Sequence, residues 1–434
     1  MTASTPLQNA PATLGERIRA ARRERGLSQA ALAGEELTKG FISQVESGLV
    51  RPSLRSLQLL ATRLGKPLDY FLGDETLASA KRVIFHRLAA QAAAERGDWA
   101  TVRAEVENAL PHGEPRERAK LMGLLAGADL AAGDHEQAFA RVNEALAVLE
   151  PATDAADIAQ LLYRRGTAYA HLGQLVAAAE AFEAARQTVE QYEVIDQRLR
   201  ARLLVSLGTA YRRLNRTTKA LATYEAALSL ASRSSETELA ARSYMGLAAS
   251  LFDSGEFDSA IANYQRALEL WERLSDAGFE LSVLHSLAGA YFEQGSVDRA
   301  RLMAERCLVR AELLGDAKEV AVAQTELARV ALAEGQTDEA LRLAGLADKT
   351  LAGLHDDRQR ASALRAMAAA HDARGEYEAS DAAYRTAIEL VTHIDHLADR
   401  SAIAAEYAQK LRARGDMDAA FDMLDLARGT SAKH

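Results

Sequence analysis

The stretch SGEFDSAIANYQRALELWERL, residues 254–274, decides the fold. Gly255 provides a turn, and the small residues Ala260 and Ala267 follow at a helical spacing with the large Tyr264 between them. Small residues let two helices approach closely, and a large residue between them fills the remaining space. The stretch therefore predicts the second member of a pair of packed helices, joined to the first by a glycine turn.

Related segments recur along most of the chain. The turn position is Gly or Asn at residues 97, 133, 173, 215, 255, 295, 335, 375 and 415, with spacings of 36, 40, 42 and then 40 five times over. The residue five positions later is small in eight units: Ala138, Ala178, Ala220, Ala260, Ala300, Ala340, Ser380 and Ala420. A fixed period of this length predicts an array of nine units, each made of two amphipathic helices.

These units resemble the tetratricopeptide repeat. The usual repeat has about 34 residues, so units of 40 residues predict longer helices. The resemblance implies a right-handed α-solenoid of about nine helix pairs, with a concave surface formed by the first helix of each pair. Only 7 prolines and an aromatic content of 6% agree with an all-α fold.

The repeat period is absent from residues 13–73, and the sequence of this segment predicts a separate small domain. Ser28, Thr38 and Ser53 are potential helix N-caps, and Gly26 and Gly48 are potential stops. They divide the segment into short helices, with GLSQAALA at 26–33, TKGFISQVESG at 38–48 and RPSLRSLQLLATRLG at 51–65. Two consecutive short helices separated by a brief turn predict a helix–turn–helix.

This segment resembles the phage-repressor, or xenobiotic-response-element (XRE), type of DNA-binding domain, although its turn between Ala33 and Thr38 is one residue shorter than usual. The resemblance implies phosphate contacts at Gln29, Arg51 and Ser53 and a recognition helix that faces base edges or backbone. We expect Glu46 to be structural, bonded to the domain's own backbone or to Arg17 or Arg22. The implied DNA-binding residues are Gln29, Thr38, Lys39, Gly40, Ser43, Gln44, Arg51 and Ser53.

The charge distribution also indicates that the chain consists of two different parts. The formal net charge is −9, but residues 13–67 contain 10 Lys/Arg and 5 Asp/Glu, which leaves 42 basic and 56 acidic residues elsewhere. A basic head of +5 therefore precedes an acidic body of −14. The single Cys307 excludes an internal disulfide, and no apolar run is long enough to span a membrane. We find no catalytic fingerprint and expect a cytoplasmic protein that is not an enzyme and has no cofactor or metal.

The concave surface of the array is the expected ligand site. An apolar strip flanked by arginines predicts a groove for a peptide with an acidic side chain or a free carboxylate. The alternative is that these side chains pack against neighbours or pair with local carboxylates. The predicted groove residues are Tyr163, Thr167, Arg202, Thr209, Arg212, Arg242, Met245, Phe252, His285, Phe292, Arg329 and Arg365.

The predicted organisation is a disordered N-terminus (1–12), the helix–turn–helix domain (13–73), a linker (74–82), the repeat domain (83–428) and a tail (429–434). This order resembles the RRNPP group of peptide-sensing transcription regulators. It implies a regulator whose repeats bind a signalling peptide and alter binding to double-stranded operator DNA. Because one small head supplies few contacts, we expect a homodimer, and we expect the repeats to sense a peptide, small molecule or protein partner. Two alternatives remain open: an interaction scaffold with a vestigial head, and a modulator of a signalling phosphorelay.

Overall fold

The structure, a computed structural model, describes residues 13–34, 36–68, 70–71, 79–393 and 397–428. Within these ranges it contains helices and turns and no strand, so the predicted all-α class is confirmed. The segment predicted to be a disordered N-terminus, the segment predicted to be a tail, and residues 74–78 of the predicted linker lie outside the described residues. Residues 79–82 belong to a helix, so the first repeat helix begins four residues before the predicted boundary.

Among the described residues of the N-terminal domain, four helices follow the predicted capping signals: α1 (Leu14–Glu24), α2 (Gln29–Ala33), α3 (Lys39–Glu46) and α4 (Leu54–Leu64). The side chains of Ser28, Thr38 and Ser53 each accept a hydrogen bond from a backbone N–H in the first turn of α2, α3 and α4. These bonds satisfy amides that have no partner within the helix. The domain closes on a small core that includes the fully buried Ile18 and Ile42.

Eighteen helices in nine pairs follow among the described residues, and most have 17 or 18 residues. The long helices account for the extra length of each unit. In order they are α5 (Ser79–Glu95), α6 (Trp99–Ala109), α7 (Pro115–Ala131), α8 (His135–Leu146), α9 (Pro151–His171), α10 (Leu175–Gln191), α11 (Gln197–Arg213), α12 (Thr217–Arg233), α13 (Thr237–Asp253), α14 (Phe257–Leu274), α15 (Ala277–Glu293), α16 (Val297–Leu314), α17 (Ala317–Ala333), α18 (Thr337–Gly353), α19 (Asp357–Ala373), α20 (Tyr377–His393), α21 (Leu397–Ala413) and α22 (Met417–Arg428).

The turn within each pair has the geometry that the sequence predicts. Gly255 ends the turn after α13 with φ of 78°, a left-handed conformation that glycine adopts without steric cost. Asn215 takes the same role with φ of 56°, and asparagine tolerates this region better than most residues. Because the backbone reverses within a few residues at these two turns, α14 packs directly against α13 and α12 against α11.

Small residues and tyrosines produce the close packing between helices. Tyr224 in α12 is 2% exposed and lies against Gly208 of α11 and Gly246 of α13. A Cβ on Gly246 would lie 2.1 Å from the Tyr224 ring, so only glycine fits there. Each of the eight small residues predicted to pack in the second helices is at most 3% exposed.

The chain divides into two compact units, Met1–Gly173 and Gln174–His434. The first contains α1 to α9, and the second contains α10 to α22. In the second unit the core around α13 to α16 includes Trp271, which is 1% exposed and stacks on Phe279 at 4.2 Å between ring centroids. No helix among the described residues is long and apolar enough to cross a membrane.

Candidate functional site

Helix α3 presents a polar face at its N-terminal end. Ile42 and Val45 are buried in the domain core, whereas the side chains on the opposite face are exposed, as predicted. Thr38 is exposed, and its Oγ1 accepts a hydrogen bond of 3.1 Å from the backbone N–H of Phe41. The predicted contact residues that the structure brings together on this exposed face are Thr38, Lys39, Gly40, Ser43 and Gln44.

Glu46 fixes the opposite side of α3 to the rest of the domain. Its carboxylate is fully buried and accepts two hydrogen bonds from the Arg22 guanidinium, at 2.6 and 2.9 Å, and one from Gln29 Nε2 at 2.9 Å. Arg19 lies 3.5 Å away. The expectation that Glu46 is structural is confirmed, with Arg22 as its partner. The predicted phosphate contact Gln29 is half-buried and also belongs to this network.

The network keeps Glu46 ionised. Burial by itself raises the pKa of the Glu46 carboxyl, but the bonds from Arg22 and Gln29 outweigh it and hold that pKa below its ordinary value. The hydrogen bond to Glu46 in turn raises the pKa of Arg22. The charge pair therefore persists at neutral pH and holds α3 against α1 and α2.

The short turn between α2 and α3 is held by an arginine that the sequence analysis missed. Arg63, in the last turn of α4, donates a hydrogen bond of 3.1 Å to the Leu32 carbonyl, bonds the Ala33 carbonyl and pairs with Glu36. These bonds satisfy carbonyls at the C-terminal end of α2. Basic residues in the last turn of a helix are common, so the sequence contained no signal specific to this role.

The remaining predicted phosphate contacts lie at the start of α4. Arg51 and Ser53 are both exposed. Ser53 Oγ accepts a hydrogen bond of 3.1 Å from the backbone N–H of Ser56 and so caps α4. A capped helix N-terminus with an exposed arginine beside it is a suitable place for a phosphate oxygen.

The predicted groove residues fall in both units. Tyr163 and Thr167 lie in α9 of the first unit, where Thr167 Oγ1 donates to the Tyr163 carbonyl at 3.0 Å. The other ten lie in first helices of the second unit. They occupy α11 (Arg202, Thr209, Arg212), α13 (Arg242, Met245, Phe252), α15 (His285, Phe292), α17 (Arg329) and α19 (Arg365).

Four of these arginines pair with carboxylates. Arg212 bonds Asp253 at 2.9 Å, and Arg242 bonds Glu238 at 3.0 Å and lies over the Phe279 ring. Of the other two arginines, Arg329 bonds Glu293 and Glu326, and Arg365 bonds Glu406. These contacts correspond to the alternative interpretation, in which groove side chains pair locally.

The uncharged groove residues also make local contacts. Thr209 Oγ1 lies 2.9 Å from the Tyr224 hydroxyl, and Met245 Sδ accepts a bond of 3.1 Å from Trp271 Nε1. His285 Nδ1 lies 3.9 Å from Glu326. In the second unit, the predicted groove positions therefore form a network of paired polar groups with half-buried aromatic rings.

Sequence comparisons match two separate segments of the chain. Residues 18–71 match the family described as Helix-turn-helix, and residues 183–353 match the MalT-like TPR region. The immunity repressor protein of Bacillus phage phi105 is 29% identical over 115 residues, which are 26% of this chain and 80% of the repressor. The chain therefore has an XRE-type helix–turn–helix domain and a region of tetratricopeptide-like repeats.

Solved structures share the fold of the helical repeats. The apo form of the quorum sensor NprR from B. thuringiensis has a TM-score of 0.63 and 12% identity, over 81% of this chain and 98% of that one. A Rap protein complexed with competence and sporulation factor has a TM-score of 0.61 and 15% identity, over 81% of this chain and 97% of that one. At such identities the likeness concerns the fold alone.

Proposed function

We propose that this chain, in which an XRE-type helix–turn–helix domain precedes tetratricopeptide-like repeats, is a sequence-specific DNA-binding transcription regulator. The observation that carries the proposal is the exposed polar end of α3, supported from behind by the buried Glu46–Arg22 pair. A helix that is fixed on one side and polar on the other can enter the major groove without losing its place in the domain.

In this proposal the N-terminal end of α3 reads base edges. The Gln44 amide can bond adenine through two hydrogen bonds, and Ser43 can bond several bases. Gly40 faces open space, since a Cβ built there meets only Thr38 Oγ1, at 3.9 Å. Because glycine has no side chain, the DNA can approach the backbone of α3 closely at this position. Arg51 and the capped start of α4 hold phosphate oxygens and set the register on the duplex.

The repeats supply regulation and dimerisation. One small head makes few contacts, whereas two heads on neighbouring half-sites bind with a higher effective concentration. We propose that the repeats join two copies and that a peptide, small molecule or protein partner on their concave surface changes the position of the heads. NprR, whose repeats share this fold, is described as a quorum sensor, which supports a sensing role.

DNA binding is tested by fluorescence anisotropy with the DNA upstream of the protein's own gene, titrated at several salt concentrations. Each phosphate contact adds about 0.9 to the slope of log affinity against log salt. We expect the double variant Lys39→Ala, Arg51→Ala to bind weakly and to lower that slope by about 1 for each head, which is the share of the phosphate contact at Arg51. Unchanged binding by this variant would show that the assigned DNA face is wrong.

A matched control removes two positive charges from the repeats. Arg266 and Lys349 are exposed on the second helices α14 and α18. The variant Arg266→Ala, Lys349→Ala should bind DNA like the parent chain. The alternative of an interaction scaffold with a vestigial head predicts no salt-sensitive binding to any DNA by the parent chain, so the same titration separates the two functions.

A further inference from the structure

A cavity of about 290 Å³ lies among first helices of the second unit. Four successive first helices form it: α15, α17, α19 and α21. We call it the four-helix cavity, and its charged and aromatic walls are Phe292, Glu293, Glu326, Arg329, Arg365 and Glu406. Its volume is at the lower end of the range for small-ligand sites, about 300–1,000 Å³.

Arg329 is fully engaged within the four-helix cavity. Its guanidinium donates to Glu293 at 2.7 Å and to Glu326 at 2.9 Å, and it lies over the Phe292 ring at 4.4 Å from the centroid. Two carboxylates therefore surround one guanidinium. A ligand carboxylate that approached Arg329 would have to displace one of them and face the other.

Arg365 is paired with a single carboxylate, through its Nε. It pairs with Glu406, and Glu406 also accepts a hydrogen bond of 2.8 Å from the buried Tyr384 hydroxyl. The cavity lining thus contains three carboxylates, Glu293, Glu326 and Glu406, and two guanidiniums. When all five are ionised, one negative charge is in excess.

We propose that the four-helix cavity binds a ligand that carries a primary ammonium group on an alkyl chain. The ammonium group would lie beside Glu293 and Glu326 and supply the missing positive charge, and the chain would contact Phe292, Leu332 and Ala366. This inference rests on the proposed sensing role, and it reverses the acidic ligand expected from the arginines. A lysine side chain of a peptide and a free alkylamine share this chemistry.

The test uses the full chain at about pH 8 and two probes of matched length and opposite charge, pentylamine and pentanoate. Saturation-transfer-difference NMR detects weak binding of both. We expect signals from pentylamine, which is cationic at this pH, and none from pentanoate. Equal or stronger binding of pentanoate overturns the proposal, and so does the absence of pentylamine binding.

Charge-removing variants locate the site. Glu293→Gln keeps an acceptor for Arg329 but removes the excess charge, and we expect it to weaken pentylamine binding about tenfold, as the loss of a charge-assisted bond does. Glu389→Gln, on the exposed face of α20, removes the same charge outside the cavity and should leave binding unchanged. Equal affinities of the two variants overturn the assignment.

Two further probes separate the sources of the ammonium group. Nα-acetyl-lysine N-methylamide represents a peptide side chain, and 1,5-diaminopentane represents a free amine; stronger binding of either identifies the source. DNA titrations with and without the stronger probe examine the proposed function separately. Ammonium binding without an effect on DNA contradicts the sensing role and leaves the cavity proposal intact, whereas DNA binding without any ammonium binding contradicts only the cavity proposal.

Discussion

Replacement of Gly246 by alanine tests how the helix pairs pack. Gly246 is buried in α13 against the ring of Tyr224. A Cβ built on Gly246 lies 2.1 Å from Cε1 and 2.2 Å from Cζ of that ring. Carbon atoms in contact are normally about 3.5–4.0 Å apart, so the ring must move by roughly 1 Å or more, or the helices must separate.

Two terms of opposite sign determine the effect of Gly246→Ala. Alanine gains about 1 kcal/mol in helix propensity, and overpacking costs about 1–3 kcal/mol. Gly289→Ala, in the interior of α15, is a matched control because a Cβ built there meets no atom within 4 Å. The propensity term cancels between the two variants, so we expect Gly246→Ala to be about 1–3 kcal/mol less stable than Gly289→Ala.

The assay is urea unfolding of the full chain followed by tryptophan fluorescence. The chain has two tryptophans, and Trp99→Phe leaves Trp271, which lies against Met245 beside Gly246. Equal free energies of unfolding for the Gly246 and Gly289 variants would refute the packing argument. We expect Gly246→Ala to lower the free energy of unfolding less in a chain that also carries Tyr224→Leu than in the parent chain, because the clash with the tyrosine ring is then absent.

Three further outcomes concern ionisable groups. Burial raises the pKa of the Cys307 thiol to about 12, so a thiol reagent at about pH 8 should label the chain only when it unfolds; rapid labelling of the folded chain contradicts this. The Arg22 bond holds the pKa of Glu46 below its ordinary value of about 4.3. The stabilisation that this pair gives to the folded domain is therefore present above about pH 4.3 and is lost as the pH falls through the lowered pKa. We expect Glu46→Gln to destabilise α3 by about 1–3 kcal/mol at neutral pH and to reduce its acid sensitivity, as hydrogen exchange of the α3 amides measures. Burial opposes ionisation of Asp154, but bonds led by that from Arg116 lower its pKa to about 2; this stabilisation is lost between about pH 4 and pH 2. Asp154→Asn should therefore flatten the acid branch of unfolding monitored at Trp99, and an unchanged acid branch contradicts the assignment.

Local sequence patterns were sufficient to predict the helices and their order along the chain. The caps Ser28, Thr38 and Ser53 and the turn residues Gly255 and Asn215 act through bonds and backbone angles within a few residues of themselves. Their effect is therefore readable without knowledge of distant contacts. The 40-residue period extends the same local information along the chain.

The recognition helix was predictable for a related reason. A short helix that must bury Ile42 and Val45 leaves its other face exposed, so its sequence alone places Lys39 and Gln44 outside. For Glu46 the sequence left the domain's own backbone, Arg17 and Arg22 open as partners, and the structure shows the pair with Arg22. Arg63, by contrast, reaches α2 from α4 across about 30 residues of chain, and no local pattern specifies that contact.

The sequence by itself therefore determined the helices, the repeat period, the buried small residues and the polar face of α3, because each depends on spacing along the chain. Only the tertiary structure decided the charge of the concave surface. Arg329 and Arg365 occupy groove positions as the register predicts, but their partners Glu293 and Glu406 come from other helices. Arg329 also pairs with Glu326 of its own helix, a contact within reach of a local pattern, but the bonds to Glu293 and Glu406 join residues 36 and 41 positions apart in the chain, which no local pattern specifies.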